Sequence, residues 1–177
     1  AKFAVDADEQ RRAEALVALL TPVAKAFFTD SGLESCIHGQ QVFGGHGYIR
    51  EWGQEQLVRD VRIAQIYEGT NGIQALDLLG RKVAAGGGAS LQTFCAEMDA
   101  WAARGGLYAD ELKDAVQRLR AISAWLLERA RSNPNEIGAA SVEYLHLFGY
   151  TAYAYMWARM ARSAARIWSC WRCRPSR

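Results

Sequence analysis

The feature that most constrains this chain is a series of amphipathic segments with helical spacing, separated by clusters of glycine. Glycines gather at residues 44–47, 86–88 and 105–106, where they can end one helix and allow a turn before the next. Only three prolines occur among the 177 residues, and no segment has the alternation of a β-strand. The pattern predicts an all-α chain, whose short connections give an antiparallel helical bundle.

Capping signals and hydrophobic spacing place the individual helices. The acidic residues 6–9 suit the start of a first helix, and Thr21-Pro22 suits the start of a second, with proline at its first position. The second helix is predicted to end at Phe43. Further helices are predicted over residues 55–66, 73–83, 91–103, 110–132 and 136–168. The Gly86–Gly88 triplet then divides the chain into a partial bundle over residues 1–85 and a second helical lobe over 91–168, followed by an irregular basic tail over 169–177.

Charge and hydropathy exclude several classes of function. Six of the 21 basic residues lie within residues 159–177, which contain no acid, so the rest of the chain carries 15 bases against 19 acids. An acidic body argues against general nucleic-acid binding. No apolar run reaches the roughly 18 residues of a membrane helix, and acids stand where a signal peptide would be basic. A cytoplasmic protein without a membrane span is therefore expected.

The four cysteines do not predict a metal or redox site. Cys36 and Cys95 lie in apolar helical contexts, where a cysteine usually behaves as a small buried hydrophobe. Cys170 and Cys173 have the spacing of half a zinc site, but no second pair of ligands accompanies them. We therefore expect free thiols and no bound metal.

Two short motifs could carry chemistry. Glu68 follows two apolar residues and precedes Gly69, so an apolar pocket would raise the pKa of its carboxyl toward that of a useful base. A surface glutamate near a helix end is the structural alternative. The cluster at residues 44–47 could bring backbone N–H groups toward a phosphate, or it could simply cap a helix and form a turn.

Read together, these motifs resemble one protein family. The segment QVFGGHGYIREWGQEQLVRDVRIAQIYEGTNGIQ at residues 41–74 is similar to the C-terminal helical domain of acyl-CoA dehydrogenases, with its Q-x-x-G-G-x-G-Y turn, R-D-x-R-I helix and Y-E-G-T loop in order. The continuation GIQALDLLGRK resembles the larger branch that acts on bulky or modified thioesters, including the methylthiopropionyl-CoA type. That branch has an extra C-terminal helical domain, which residues 91–168 are expected to form.

The resemblance implies roles for individual residues. Glu68 corresponds to the catalytic base that removes the α-proton of an acyl-CoA, while a hydride passes from the β-carbon to flavin N5 and a trans-2-enoyl-CoA forms. Gly69 would line the substrate site. The adenine-dinucleotide part of FAD, often on a neighbouring subunit, would be met by Gln41, Val42, Phe43, Gly44 and Gly45. The flavin would be contacted by Thr70, Asn71 and Gly72, the last replacing a commoner glutamate or glutamine.

The resemblance also implies partners: acyl-CoA as substrate, an electron-transfer protein as acceptor, and a homo-oligomer that is a dimer or a dimer of dimers. The family's N-terminal helical and middle β domains have no counterpart in this sequence, so the chain alone is expected to be inactive. Two other functions stay open, a non-catalytic helical assembly module and a DNA-associating alkylation-response flavoprotein. The glutamate of the Y-E-G-T motif favours the enzyme, and the acidic body disfavours DNA.

Overall fold

The computed structural model describes residues 6–172, and within them the chain is helical with no β-strand. This confirms the predicted all-α fold. A π-helix over Leu78–Val83 extends the fourth helix, and short 3₁₀ segments cover Arg50–Trp52, Ile63–Gln65 and Ala85–Gly88. The α-helices are α1 (Ala7–Phe43), α2 (Gly45–Tyr48), α3 (Gln54–Arg62), α4 (Asn71–Asp77), α5 (Ala89–Ala102), α6 (Ala109–Ser132) and α7 (Asn135–Arg172).

Helix α1 begins as predicted but does not break where expected. The Asp6 carboxylate accepts hydrogen bonds from the backbone N–H groups of Asp8 and Glu9, at 2.9 and 2.8 Å, and so caps the helix. The predicted boundary at Thr21-Pro22 is wrong, because α1 runs through both residues. The Thr21 hydroxyl donates to the Val17 carbonyl at 2.6 Å instead of capping a new helix. The Pro22 ring is buried, so its packing offsets the hydrogen bond that a proline removes.

Helices α5, α6 and α7 follow one another as antiparallel neighbours joined by short loops, as predicted from residues 91–168. The inward stripe of α6 includes the buried Leu112, Val116, Leu119 and Leu126. Ile122 and Trp125, whose helical spacing would also fit this stripe, are 40 % and 56 % exposed. The helix buries Ser123 instead, whose hydroxyl lies 2.6 Å from the Tyr144 hydroxyl of α7, because a buried phenol needs a polar partner.

One continuous core joins residues on both sides of the glycine triplet at 86–88. Phe27 of α1 and Leu79 of the π-helix belong to the same buried cluster as Phe94 of α5 and Phe148 of α7. The Phe94 and Phe148 rings stack with 5.8 Å between centroids. The division into lobes over residues 1–85 and 91–168 stays a prediction, and the structure adds that their apolar faces pack on each other.

The helices nearest the candidate site expose apolar side chains at positions where helical spacing would allow burial. Leu57 of α3 is 50 % exposed, and Ile73 and Leu76 of α4 are 57 % and 40 % exposed. Helix α4 buries Ala75 instead, followed by Leu78, Leu79 and Val83 of the π-helix. Helix α4 contacts both α1 and α7, and these contacts bury the face through Ala75 in place of the one through Ile73 and Leu76.

Helix α1 is long and apolar enough to cross a membrane by length and composition alone, with a mean hydropathy of 1.3 over its most apolar window. Core helices of soluble proteins pass the same test. One face of α1, including Leu19, Val23 and Phe27, is buried in the core described above. The property therefore does not establish a membrane span.

The cysteines of α1 and α5 differ in burial, and a labelling experiment should show it. Cys95 is fully buried, and burial raises the pKa of its thiol to about 11, so its thiolate is only about one part in 10³ at pH 8. Cys36, predicted to be buried as well, is half-buried. In the native protein at pH 8, iodoacetamide should modify Cys36 and spare Cys95, and both should react in urea. Peptide mass spectrometry measures this, and equal native rates would contradict it.

Candidate functional site

The loop at residues 66–70 connects the 3₁₀ turn Ile63–Gln65 to α4, and it has an unusual backbone. Glu68 has φ 55° and Gly69 has φ 83°, so two consecutive residues adopt left-handed conformations. Glycine does this freely, but for glutamate the conformation costs free energy and needs support from its surroundings. Part of that support comes from Gln74 of α4, whose side-chain amide donates to the Glu68 carbonyl at 3.1 Å.

The Glu68 side chain lies on the surface, at the edge of an open depression of about 410 Å³. Ile73 and Leu76 form its apolar part, and Asp77 and Arg81 form an ion pair beside them. Ile66 and Tyr67, which precede Glu68, are themselves 47 % and 51 % exposed. The described residues therefore form only one wall of an apolar pocket around the carboxylate. A ligand or another part of the protein would have to form the opposite wall.

Asn71, the first residue of α4, ties the loop to α1. Its side-chain Nδ2 lies 2.9 Å from the Thr29 hydroxyl and 3.2 Å from the Ala26 carbonyl, and its Oδ1 accepts from Lys25 Nζ at 2.8 Å. Because these bonds occupy both ends of the amide, the side chain is not free to meet a cofactor. A contact between Asn71 and a flavin would have to come from its backbone.

Thr70 and Gly72 flank Asn71 and remain accessible. Both residues are exposed, and the Thr70 hydroxyl does not cap α4. A Cβ built on Gly72 would meet nothing within 4 Å. The start of α4 therefore offers a free hydroxyl and an open backbone within four residues of Glu68.

The glycine cluster lies at the far end of α1. Gly44 ends the helix with φ 58°, and its N–H donates to the Gln41 carbonyl at 3.1 Å. Val42 and Phe43 are 86 % and 57 % exposed, and added Cβ atoms on Gly44 and Gly45 would meet nothing within 4 Å. The segment therefore presents open backbone and apolar side chains together.

Gly47 belongs to the same turn, and the sequence singled it out only as a member of the cluster at residues 44–47. It is buried, and a Cβ there would lie 2.5 Å from the Gln40 carbonyl oxygen. Only glycine lets the turn pack this closely on α1. Its place in the G-G-x-G pattern was the signal that could have identified it.

The structure does not bring the two predicted halves of the site together within one chain. The loop with Glu68 is tied to α1 near Asp30, and Gly44 lies 14 residues further along the same helix. At 1.5 Å per residue the two points are about 20 Å apart along the axis. That the segment at residues 41–45 serves a neighbouring subunit stays a prediction.

The polar side chains of α3 bond to neighbouring residues of the chain, and the described residues do not form a metal site. Asp60 accepts a hydrogen bond from Gln56 of the same helix, at 2.6 Å, and Arg62 donates to Gln65. Within the described part of the chain, three or more potential metal ligands do not converge. The Cys170/Cys173 pair lies outside the residues whose side chains the structure describes.

Two family models match the chain, one on each side of the glycine triplet. Residues 2–83 match "Acyl-CoA dehydrogenase, C-terminal domain" and residues 89–168 match "Acetyl-CoA dehydrogenase C-terminal like". The first match contains the Glu68 loop and the glycine cluster, and the second contains α5, α6 and most of α7.

Curated relatives include a 3-methylmercaptopropionyl-CoA dehydrogenase of Ruegeria pomeroyi, 38 % identical over 165 residues, which are 88 % of this chain and 28 % of the relative. A butyryl-CoA dehydrogenase of Syntrophomonas wolfei is 34 % identical over 97 residues, 55 % of this chain and 16 % of the relative. The broad-specificity linear acyl-CoA dehydrogenase FadE5 of Mycobacterium tuberculosis is 27 % identical over 158 residues, 82 % of this chain and 26 % of the relative. The chain thus spans at most 28 % of the length of these three relatives.

Proposed function

The chain belongs to the acyl-CoA dehydrogenase family, and from this we propose that it is the C-terminal part of an FAD-dependent enzyme that oxidises an acyl-CoA to the trans-2-enoyl-CoA. The observation that carries the proposal is the Glu68 loop. It presents a carboxylate on a supported left-handed backbone, beside a glycine and an open, partly apolar depression.

In the proposed reaction the Glu68 carboxylate accepts the α-proton of the thioester. The electron pair of the broken C–H bond forms the new Cα–Cβ double bond. Bound FAD supplies the matching chemistry by taking up, at flavin N5, the hydride that leaves the β-carbon. Covering the loop from solvent would strengthen the interaction of the base with its substrate, because charges interact more strongly where water is excluded.

Gly69 contributes to the proposed site through its backbone conformation. Its φ of 83° is one that residues with side chains rarely adopt, and an added Cβ would lie 3.2 Å from Gln74 Nε2. Glycine therefore keeps both the direction of the Glu68 side chain and the hydrogen bond from Gln74 to the loop.

The residues proposed to hold FAD fit a large cofactor. Gly44, Gly45 and Gly72 expose backbone with free space in front of it, and the Thr70 hydroxyl has no capping role in its own chain. We assign the dinucleotide end to residues 41–45 of one subunit and the flavin to Thr70, the Asn71 backbone and Gly72 of the other. The separation of about 20 Å along α1 supports this proposed division.

The exposed apolar side chains support a larger assembly around this chain. Val42, Tyr48, Trp52, Ile63 and Tyr67 are each more than half exposed, and apolar surface of this extent usually marks an interface. We propose that the remaining domains of the enzyme and a second subunit of a homo-oligomer cover this apolar surface. We further propose that the enzyme is cytoplasmic and that an electron-transfer protein is its electron acceptor. The similarity to the Ruegeria pomeroyi enzyme favours a bulky or modified acyl-CoA as substrate.

The test is an assay of the complete protein that contains this chain. Purified with its flavin, it should convert at least one thioester from a panel of straight, branched and thioether-containing acyl-CoAs to the 2-enoyl-CoA in the presence of an artificial electron acceptor. Mass spectrometry follows the loss of two hydrogens. The 177-residue chain should form no product under the same conditions, because it carries only part of the proposed site.

Absence of product from every thioester with flavin-loaded protein would contradict the enzymatic proposal and favour an assembly role. Product formed by the 177-residue chain alone would contradict the claim that the other domains are required.

A further inference from the structure

The two ends of the Glu68 loop meet at a single oxygen atom of α1. Gln65, just before the loop, donates from Nε2 to Asp30 Oδ1 at 2.6 Å. Asn71, just after it, donates from Nδ2 to the same Oδ1, also at 2.6 Å. One carboxylate therefore closes residues 66–70 into a loop whose ends cannot separate without breaking a hydrogen bond. We call Asp30, Gln65 and Asn71 the Asp30 cluster.

The second oxygen of Asp30 faces the C-terminal lobe. His146 Nε2 of α7 lies 3.4 Å from Asp30 Oδ2. The Asp30 side chain is 31 % exposed, and hydrogen bonds to a charged acceptor are stronger than those between neutral groups. The cluster therefore connects the loop to α1 and, through Asp30, to α7.

We propose that Asp30 is a positioning residue for the catalytic base Glu68. The inference rests on the proposed function and deepens it, since it assigns a role in the proton step to a residue that touches neither substrate nor cofactor. Asp30 fixes the ends of the loop through Gln65 and Asn71, and the fixed ends hold Glu68 in its left-handed conformation.

The physical argument is that Glu68 lies in a backbone conformation that it would leave if it were free. A non-glycine residue with positive φ is held only where its neighbours over-determine the backbone. Without the carboxylate, Gln65 loses its hydrogen bond to α1, whereas Asn71 keeps its bonds to Lys25, Ala26 and Thr29. The loop can therefore relax from its Gln65 end. A displacement of about 1 Å of a catalytic group can cost roughly 10²-fold in rate.

The experiment uses Asp30→Leu in the complete, flavin-loaded protein, because leucine keeps the approximate volume and removes both acceptor oxygens. The first readout is exchange of the substrate α-proton with deuterated solvent, which reports the proton step by itself. We expect exchange and kcat to fall by roughly 10²-fold, with KM and flavin content close to those of the wild type. Asp30→Asn, which restores one acceptor oxygen, should recover a large part of the loss.

A second readout does not depend on activity. Backbone hydrogen–deuterium exchange of residues 66–70 in substrate-free protein should become faster in Asp30→Leu. The matched control is Asp99→Leu on α5, where an aspartate of similar exposure pairs with Arg120 at 2.5 Å, away from the loop. This control should change neither the loop exchange nor the proton step.

The outcomes separate the two levels of the argument. A wild-type protein with no turnover would contradict the proposed function. Hydrogen–deuterium exchange of residues 66–70 would still test whether Asp30 holds the loop. An active wild type with unchanged proton exchange in Asp30→Leu would overturn the inference alone. If Asp30→Leu does not fold, Gln65→Met decides in its place, because it removes one donor of the cluster and should slow α-proton exchange while KM stays constant. Unchanged exchange in that variant would also overturn the inference.

Discussion

Replacing Glu68 with glutamine in the complete protein is expected to lower kcat for acyl-CoA oxidation by roughly 10²–10⁴-fold, the usual contribution of a general base. Glutamine has nearly the same size and can keep the loop conformation, but its amide cannot accept the α-proton. Flavin content and affinity for the substrate should stay near wild-type values, because the side chain is exposed in the described chain. Steady-state kinetics with an artificial electron acceptor measures the effect.

Two further variants make the Glu68 result specific. Glu68→Asp retains a carboxylate on a side chain shorter by one methylene, so its activity should fall between those of the wild type and Glu68→Gln. Glu143→Gln removes an exposed carboxylate from α7 and should leave kcat unchanged. If Glu68→Gln kept more than a tenth of the wild-type rate, the assignment of the base would be wrong.

A second large effect is expected on stability, from Gly149→Ala in the middle of α7. A Cβ at this position would lie 2.8 Å from Phe27 Cδ1 and closer still to Cγ and Cδ2. Phe27 has little room to move, because it is 2 % exposed and packs edge-on against the rings of Tyr150 and Tyr153, at 4.9 and 5.0 Å. The overlap would push apart α1 and α7.

We expect Gly149→Ala to lower the free energy of unfolding by about 1–3 kcal/mol, the usual cost of overpacking a core. The direction of this change in stability is informative, because alanine in a helix is otherwise favoured over glycine by about 1 kcal/mol. Gly138→Ala is the matched control on the same helix, since its Cβ would meet nothing within 4 Å, and it should stabilise the protein or be neutral. Urea unfolding of the 177-residue chain, followed by circular dichroism, compares the two. Equal stabilisation by both would contradict the packing argument.

The sequence predicted the helices best where local signals agreed. The segments at 91–103 and 110–132 were found within two residues of their observed ends, because glycines end or precede them and their apolar residues recur with a helical period. The boundary at Thr21-Pro22 failed for a non-local reason. Its local signal is that of a helix start, but burial of Pro22 in the core favours one continuous helix.

The candidate site was predictable in part. Glu68 and Gly69 adjoin one another in the sequence, so a loop with a carboxylate beside a glycine could be expected, and the resemblance assigned its role. The engagement of Asn71 with α1 could not, since nothing in the sequence relates residue 71 to residues 25–30. The Asp30 cluster escaped prediction for the same reason: Asp30 lies 35 residues before Gln65 and 41 before Asn71.

The amino-acid sequence alone determined that the chain is helical, where most of its helices end, and that a carboxylate stands beside a glycine in one connection. Those properties depend on conformational preferences and periodicities that act over a few residues. Only the tertiary structure decided which helix faces are buried, that Phe27 requires a glycine at residue 149, and that one oxygen of Asp30 holds both ends of the Glu68 loop. These pairings join residues far apart in the chain, and they arise only when the helices pack.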